Sequence, residues 1–512
     1  MVISKIRQLI LLLFAGLFIV LSWWGIYSAQ IGVTSRSLTV EDIPMQLMTP
    51  QTAGQHPGVL IAHGFSGSKQ LMLGYAYVLV HNGYGVLLWD LPGHGANTQP
   101  FVYESLQHSF DVSLSTLEQQ PEIDPQRLAA LGHSMGGGVA LRGGIEHGDQ
   151  LDAVVAISST DAPVTPELPK NLNLQIGQWE SYLAPYAERL LDQAGGASLD
   201  VSQGRGRSFK IIPAVEHATI LFSDVSHQES LNWLNQTFGL TSMSTYKDRR
   251  MAWYGLHLLG WVVAIASALP TVIKPPSPPS KSWDSMPSPA SPVPGPSQPL
   301  QRKATAARWS WGGLLFAPVI PIAFLKLLNR QTPIDNLGGL LIGGALGVWM
   351  LLAGLVWLGT VTAGGRAAIR KPTIKDLKVG AVGFAMLWLG LGALAQWVWL
   401  PWFLVPTRLL LWVAISVACI PWFLASSLVQ HQAKRRRRLA WWLGQSLVFL
   451  VGLTGTIALL PSLGFLAIML PVFPLLVALF SLVTAKAASP WGACLACAPI
   501  FSWLIVTPFP LV

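Results

Sequence analysis

The sequence predicts an α/β domain followed by an all-α, multi-span transmembrane domain, and three observations lead there. Of 512 residues, 51% are hydrophobic and only 11% charged, well to the apolar side of a soluble globular chain. Charge is also segregated: residues 36–246 hold 9 Lys+Arg against 20 Asp+Glu, whereas the rest of the chain holds 24 basic and 4 acidic residues. Within 36–246, short apolar runs of strand character alternate with helical stretches. Outside it the chain is a succession of apolar stretches of about spanning length. The net charge of +9 therefore sits in short loops between apolar segments, which argues against a nucleic-acid partner.

Residues 1–30 read as a transmembrane anchor or a signal. Lys5 and Arg7 precede an apolar run from about Leu9 to Ile26, and bulky Tyr27 stands where a cleavage site at Ser28-Ala29 needs a small residue, which favours an uncleaved anchor. Either way the domain that follows is exported. After it, apolar stretches fall near 251–273, 309–328, 337–360, 379–400, 407–429, 440–460, 463–484 and 491–510. The stretch 251–273 is one transmembrane helix, and 309–512 is a polytopic domain of about seven more, giving nine spans with the first. Pro318, Pro321, Pro421, Pro471 and Pro474 interrupt them, as spanning helices tolerate. Residues 274–308 carry ten prolines between Pro275 and Pro299, a composition that builds no core and reads as an extended linker. Cys419, Cys494 and Cys497 all lie in apolar stretches and imply helix packing, with no disulfide framework or metal site.

Alternating the spans from a cytoplasmic N-terminus places 18 Lys and Arg inside, among them the run Lys434–Arg438, and six outside. That balance follows the positive-inside rule and puts residues 36–246 on the extracytoplasmic face and the 274–308 linker in the cytoplasm of a multi-pass cell-membrane protein. The cluster Lys247, Arg249 and Arg250 is the one local objection.

Gly132-His133-Ser134-Met135-Gly136 fits G-x-S-x-G. The run Arg127–Leu131 before it has strand character, and Val139-Ala140-Leu141 after it starts a helical pattern. Ser134 thus occupies a sharp strand-to-helix turn, where strained angles and close packing leave no room for a Cβ at either flanking glycine. The Met135 N–H opens the helix and can bind an oxyanion. Upstream, the buried-strand run Gly58–Ala62 ends in His63-Gly64-Phe65-Ser66-Gly67, and the Phe65 N–H is the candidate second donor. The strand Gly85–Trp89 leads into the tight turn Asp90-Leu91-Pro92-Gly93-His94-Gly95.

H-G-x-x-G, D-x-x-G-H-G and G-H-S-M-G-G at these spacings resemble the α/β-hydrolase family over roughly residues 36–240. The resemblance implies a mostly parallel sheet with helices on both faces, and a triad in chain order Ser, acid, His. The strand Asn171–Ile176 ends in Gly177-Gln178-Trp179-Glu180, similar to the family's acid turn, so Glu180 is the implied acid, with Asp161, one strand earlier, as the alternative. His217 follows the last strand, Ser208–Val215, and is the implied base; His227, in the first turn of the closing helix, is the alternative. His63, His94 and His133 read as loop-shaping residues. The implied chemistry is serine hydrolase action on an ester or related acyl bond, without metal or organic cofactor, with lipid and cell-envelope acyl compounds among the compatible substrates and membrane lipids as neighbours. Only about ten residues follow the strand Ala153–Ser158 before the next one, too few for a large lid. A serine peptidase or acyltransferase, and a transporter or scaffold that uses a hydrolase-like domain for binding, stand as alternatives; the scarcity of ionisable residues in the spans weighs against ion-coupled transport.

Overall fold

A computed structural model of the chain describes residues 2–272, 298–365, 369–402 and 404–512. They divide into two compact units. One comprises Ile19–His257 with Gly392–Arg408 and Thr507–Val512; the other comprises Met1–Phe18, Leu258–Leu391 and Leu409–Val506.

In the first unit the helix α1 (Val2–Ser28) leads into β1 (Val33–Val40) and β2 (Ile43–Pro50), a hairpin whose two-residue turn places Glu41 and Asp42 at positive φ, the geometry that matches strand twist. Then come β3 (His56–Ala62), α2 (Leu73–Val80), β4 (Gly85–Trp89), α3 (Glu104–Glu118), β5 (Ile123–His133), α4 (Met135–Glu146), β6 (Leu151–Ile157), β7 (Leu172–Gly177), α5 (Ala184–Gln193), β8 (Arg207–Ile212) and α6 (Asp224–Phe238). One eight-stranded sheet results, in the order β1-β2-β4-β3-β5-β6-β7-β8, antiparallel at β1/β2 and β2/β4 and parallel elsewhere. The interior strands β3, β4 and β7 are buried throughout, as strands are when helices cover both faces of a sheet. Two cores follow. One face gathers Leu60, Leu87, Trp89, Phe110, Ala130 and Val139, and the other Val59, Ile61, Tyr75, Val86, Leu131 and Leu234. Strand order reverses between β3 and β5, so the loops beyond their carboxyl ends part and leave a crevice, the usual ligand position in such sheets.

The second unit is helical: parts of α1 and α7 (Arg250–Val272), then α8 (Gln298–Phe316), α9 (Val319–Leu328), α10 (Gly343–Ala363), α11 (Ile374–Leu391), α12 (Pro406–Gln430), α13 (Arg435–Leu459), α14 (Leu466–Met469), α15 (Val472–Lys486) and α16 (Pro490–Val506). Among the described residues, seven helices are long and apolar enough to cross a membrane, and α15 and α16 are shorter apolar helices. Seven of the nine expected stretches coincide with helices of that length and composition, whereas 463–484 and 491–510 fall on shorter apolar helices. The stretch 463–484 divides into α14 and α15 around Leu470 and Pro471, and Pro318 separates α8 from α9, because each proline removes a helical donor. Tryptophans tie the bundle together: Trp311 and Trp441 stack at 4.0 Å, Trp349 donates to Thr456 Oγ1 (3.2 Å), and Trp357 donates to the Ser310 carbonyl (3.1 Å). The proline-rich linker falls, over 273–297, outside the described residues; 298–308, expected as its end, is already helix.

Candidate active site

Ser134 links β5 directly to α4 with φ 54° and ψ −121°, angles that only a forced non-glycine residue adopts. The turn survives because its neighbours are glycines. A Cβ on Gly132 would strike the Gly136 carbonyl, and one on Gly136 would strike the carbonyls of Ala62 and His63 at the end of β3. The Ser134 N–H donates to the Ile157 carbonyl on β6 at 2.8 Å, which pins the elbow to the sheet and turns the side chain outward.

Glu180 lies beyond β7 and His217 beyond β8. The two loops are tied to each other, since Gln178 N–H donates to the Ile212 carbonyl (2.8 Å) and Trp179 N–H to the Val215 carbonyl (3.0 Å). His217 Nε2 lies 3.0 Å from Ser134 Oγ, and His217 Nδ1 lies 2.6 Å from Glu180 Oε1. Glu180 is 1% exposed, and its other oxygen accepts from Ser158 Oγ (2.7 Å) and the Gly177 N–H (2.6 Å). Burial pushes its carboxyl upward, but the hydrogen bonds from His217, Ser158 and Gly177 outweigh it and hold the group below the usual carboxylate range. A hydroxyl, an imidazole and an ionised carboxylate in line at these distances can activate the hydroxyl as a nucleophile.

Across the crevice, the loop after β3 makes a tight turn in which the Gly67 N–H donates to the Gly64 carbonyl (3.0 Å) and Ser66 takes φ 56°. Phe65 lies in this turn, and its ring meets His94 edge-on at 5.7 Å and Phe101 at 5.8 Å. Met135 is the first residue of α4, where backbone N–H groups have no intrahelical partner. His63 braces the turn. Its Nε2 accepts from the Leu91 N–H (3.0 Å) and its Nδ1 donates to the Gly64 carbonyl (2.8 Å), so it is the neutral Nδ1–H tautomer. Burial lowers its pKa, despite the opposing pull of the Asp90 carboxylate. Asp90 forms an ion pair with Lys69, accepts from the Lys69 N–H (2.9 Å) and the Ala96 N–H (3.0 Å), and is 0% exposed. Burial raises its pKa, but the Lys69 charge and the hydrogen bonds from Lys69 outweigh it and hold it below the usual carboxylate range.

The two alternatives lie elsewhere. Asp161 is exposed and pairs with Arg189 at 2.9 Å. His227 is buried, donates to the Leu221 carbonyl (2.9 Å) and lies edge-on to Tyr75 at 4.4 Å. Neither enters the hydrogen-bonded chain that contains Ser134.

A family model described as Serine aminopeptidase, S33, matches residues 55–203, the segment that contains the elbow and the loop after β3. The sheet β1–β8 with its covering helices has the α/β-hydrolase fold. Two uncharacterized proteins of Mycobacterium tuberculosis, from strains CDC 1551 / Oshkosh and ATCC 25618 / H37Rv, are 32% identical to the chain over 93 residues, 18% of this chain and 33% of each of them. The chain thus spans about a third of the length of these curated relatives. Among solved structures, a putative dienelactone hydrolase from Klebsiella pneumoniae is 14% identical with a TM-score of 0.34, over 41% of this chain and 99% of that one. A dienelactone hydrolase from Anabaena variabilis is 20% identical with a TM-score of 0.32, over 40% and 97%.

One residue of the candidate site had no signal in the sequence, and another, His133, is read there only as loop-shaping. Ser158 closes β6 and donates to Glu180, but a serine at a strand end announces nothing by itself. His133 Nε2 donates to the His217 carbonyl at 2.8 Å, and the two rings lie 4.8 Å apart. Burial, followed by the neighbouring His217, holds the His133 pKa well below the ordinary imidazole value, so it braces the loop as a neutral ring.

Proposed function

We propose that this protein is a membrane-bound serine hydrolase that cleaves ester or related acyl bonds, with lipid and cell-envelope acyl compounds as its substrate class. One observation carries the reading: the unbroken series Glu180, His217, Ser134 at 2.6 and 3.0 Å, ending on a serine held at positive φ. In this reading Ser134 Oγ attacks the acyl carbonyl while His217 Nε2 takes its proton. The N–H groups of Phe65 and Met135 receive the oxyanion. Collapse of the tetrahedral intermediate expels the alcohol, protonated by His217, and leaves an acyl-Ser134 ester, which water hydrolyses by the same steps in reverse roles. Glu180 fixes the imidazole tautomer and stabilises the imidazolium.

The experiment is labelling of the full-length membrane protein with a fluorophosphonate. The wild type should label, and Ser134→Ala should lose both labelling and ester hydrolysis while inserting normally; labelling that survives in Ser134→Ala sinks the assignment.

We further propose that the hydrolase domain lies on the extracytoplasmic face and that the proline-rich linker and Lys434–Arg438 lie in the cytoplasm. The 18-to-6 distribution of Lys and Arg supports it. The cluster Lys247, Arg249 and Arg250 opposes it locally and is outweighed by the total. Alkaline phosphatase fused at residue 245 should be active; a fluorescent green fluorescent protein at the same junction, with inactive phosphatase, reverses the orientation.

A further inference from the structure

Arg408 is an unusual residue for its place. It lies in the first turn of α12, where the positive end of the helix dipole disfavours a cation, and it is 1% exposed. Its guanidinium is spent on backbone carbonyls: Nε donates to Gly95 (3.1 Å), Nη2 to Gly93 (2.6 Å) and Nη1 to Phe509 (2.8 Å). Two of these belong to the turn after β4. The same turn is held a second time, because the Leu511 N–H donates to the Gly93 carbonyl (2.8 Å) and the Leu511 carbonyl accepts from the Phe101 N–H (2.8 Å). Segments more than 300 residues along the chain thus close over the turn 90–101, within one compact unit.

That turn is also joined to the proposed oxyanion loop. Leu91 N–H donates to His63 Nε2, Asp90 grips the Lys69 backbone and side chain, and the His94 ring lies 5.2 Å from His63 and 5.7 Å from Phe65. From Arg408 to the Phe65 backbone the linkage is continuous: guanidinium, Gly93 and Gly95 carbonyls, Leu91 and His94, His63, then Gly64-Phe65.

We propose that Arg408 and the Leu511 N–H are positioning elements for the reaction, setting the Phe65 oxyanion donor through the 90–97 turn, so that a turn of α12 and the segment after α16 complete the hydrolase site. Three divergent carbonyls need a planar fork of donors. A lysine ammonium on a flexible stem cannot reproduce it, and the proposal therefore distinguishes Arg from Lys.

The proposal rests on the serine-hydrolase reading, and the test separates the two. Full-length wild type, Arg408→Lys and Leu511→Pro are purified in detergent, competent sites are counted by fluorophosphonate titration, and kcat and KM for p-nitrophenyl butyrate are expressed per titrated site. Complete loss of an oxyanion donor costs about 10²–10³ in kcat; a donor displaced but present should cost Arg408→Lys about tenfold, with KM within about twofold. Leu511→Pro, which deletes the N–H that donates to the Gly93 carbonyl and also replaces a buried leucine side chain, should lose several-fold in the same direction. A merely structural role would lower the number of titratable sites and leave kcat per site at the wild-type value, and that result in either variant overturns the proposal. If Arg408→Lys yields no titratable protein, Leu511→Pro decides alone. A wild type that does not label overturns the hydrolase reading and this one with it.

Discussion

Replacing Glu180 by Gln should be more instructive than replacing it by Ala, and the structure says why. The carboxylate is buried and accepts from three donors: His217 Nδ1, Ser158 Oγ and the Gly177 N–H. A glutamine offers one oxygen and one NH2 in the same space. The Gly177 N–H is a backbone donor that cannot turn away, so the amide oxygen must face it, and the NH2 then faces His217 Nδ1. Nδ1 becomes an acceptor, the ring proton moves to Nε2, and the imidazole can no longer take the Ser134 proton. A wrong tautomer in this arrangement costs about 10⁴ in kcat, or about 5.5 kcal/mol of transition-state stabilisation. Alanine removes the orienting group but leaves the ring free to adopt the productive tautomer with water at Nδ1, so its loss should be no greater than that of Gln. The assay is kcat for p-nitrophenyl butyrate per folded protein, with KM expected to stay near the wild-type value because no substrate contact is changed. A Glu180→Gln enzyme within tenfold of wild type, or clearly faster than Glu180→Ala, would refute the orienting role.

His217→Ala should lower kcat by several orders of magnitude. His227→Ala should instead leave kcat per titrated site unchanged and cost about 1–3 kcal/mol of stability, since it strips a buried donor from the Leu221 carbonyl and a ring from Tyr75. Asp161→Ala, which removes an exposed pair with Arg189, should change stability by at most about 1 kcal/mol and leave activity intact; thermal melts and rates on the same samples check all three. Asp90 is buried, yet Lys69 depresses its folded pKa below the ordinary 3.8, so its contribution is fully present above that value and is lost as pH falls through the lower folded value. Asp90→Asn should cost about 3–5 kcal/mol at pH 7, because it leaves Lys69 nearly buried without its partner, and should flatten the part of the acid loss of stability that lies below pH 3.8; an unchanged melting temperature at pH 7 contradicts this.

The parts of the site that were legible in the sequence are those whose chemistry forces a residue type at a fixed spacing. The elbow needs glycines at 132 and 136 because carbonyls occupy the space of their side chains. The acid and base fall just beyond the strands expected over Asn171–Ile176 and Ser208–Val215, and β3 to β8 each correspond to an expected strand. By contrast β1 and β2 were not anticipated. The strand Val33–Val40 is largely exposed and polar, Ile43–Pro50 has prolines at both ends, and the hairpin turn uses Glu41-Asp42 in place of the glycine that would have marked it. Helices α3 and α5 were also passed over. Mean hydropathy is low along both, but the residues each helix buries, Leu106, Phe110, Leu114 and Leu117 in α3 and Ala187 and Leu190 in α5, recur at helical spacing, so the signal was in the sequence as an amphipathic pattern.

The hold that residues 392–408 and 507–512 have on the hydrolase unit was invisible for a different reason. Sequence patterns expose contacts made by side chains of a demanded type, but here the accepting groups are the carbonyls of Gly93, Gly95 and Phe509, which every residue possesses. Arg408 itself is one of the six cations that the alternation assigns to the outer side, at the end of the 407–429 stretch. Its burial and its bonds to divergent carbonyls distinguish it. Gly93, Gly95 and Phe509 are buried together with Arg408, so the contact satisfies carbonyls that water does not reach and contributes to the stability of the turn. It also fixes the position of the turn, and a donor that must meet a developing charge at about 2.7–3.1 Å is sensitive to position. The contact therefore bears on the rate at Ser134 as well as on the survival of the fold.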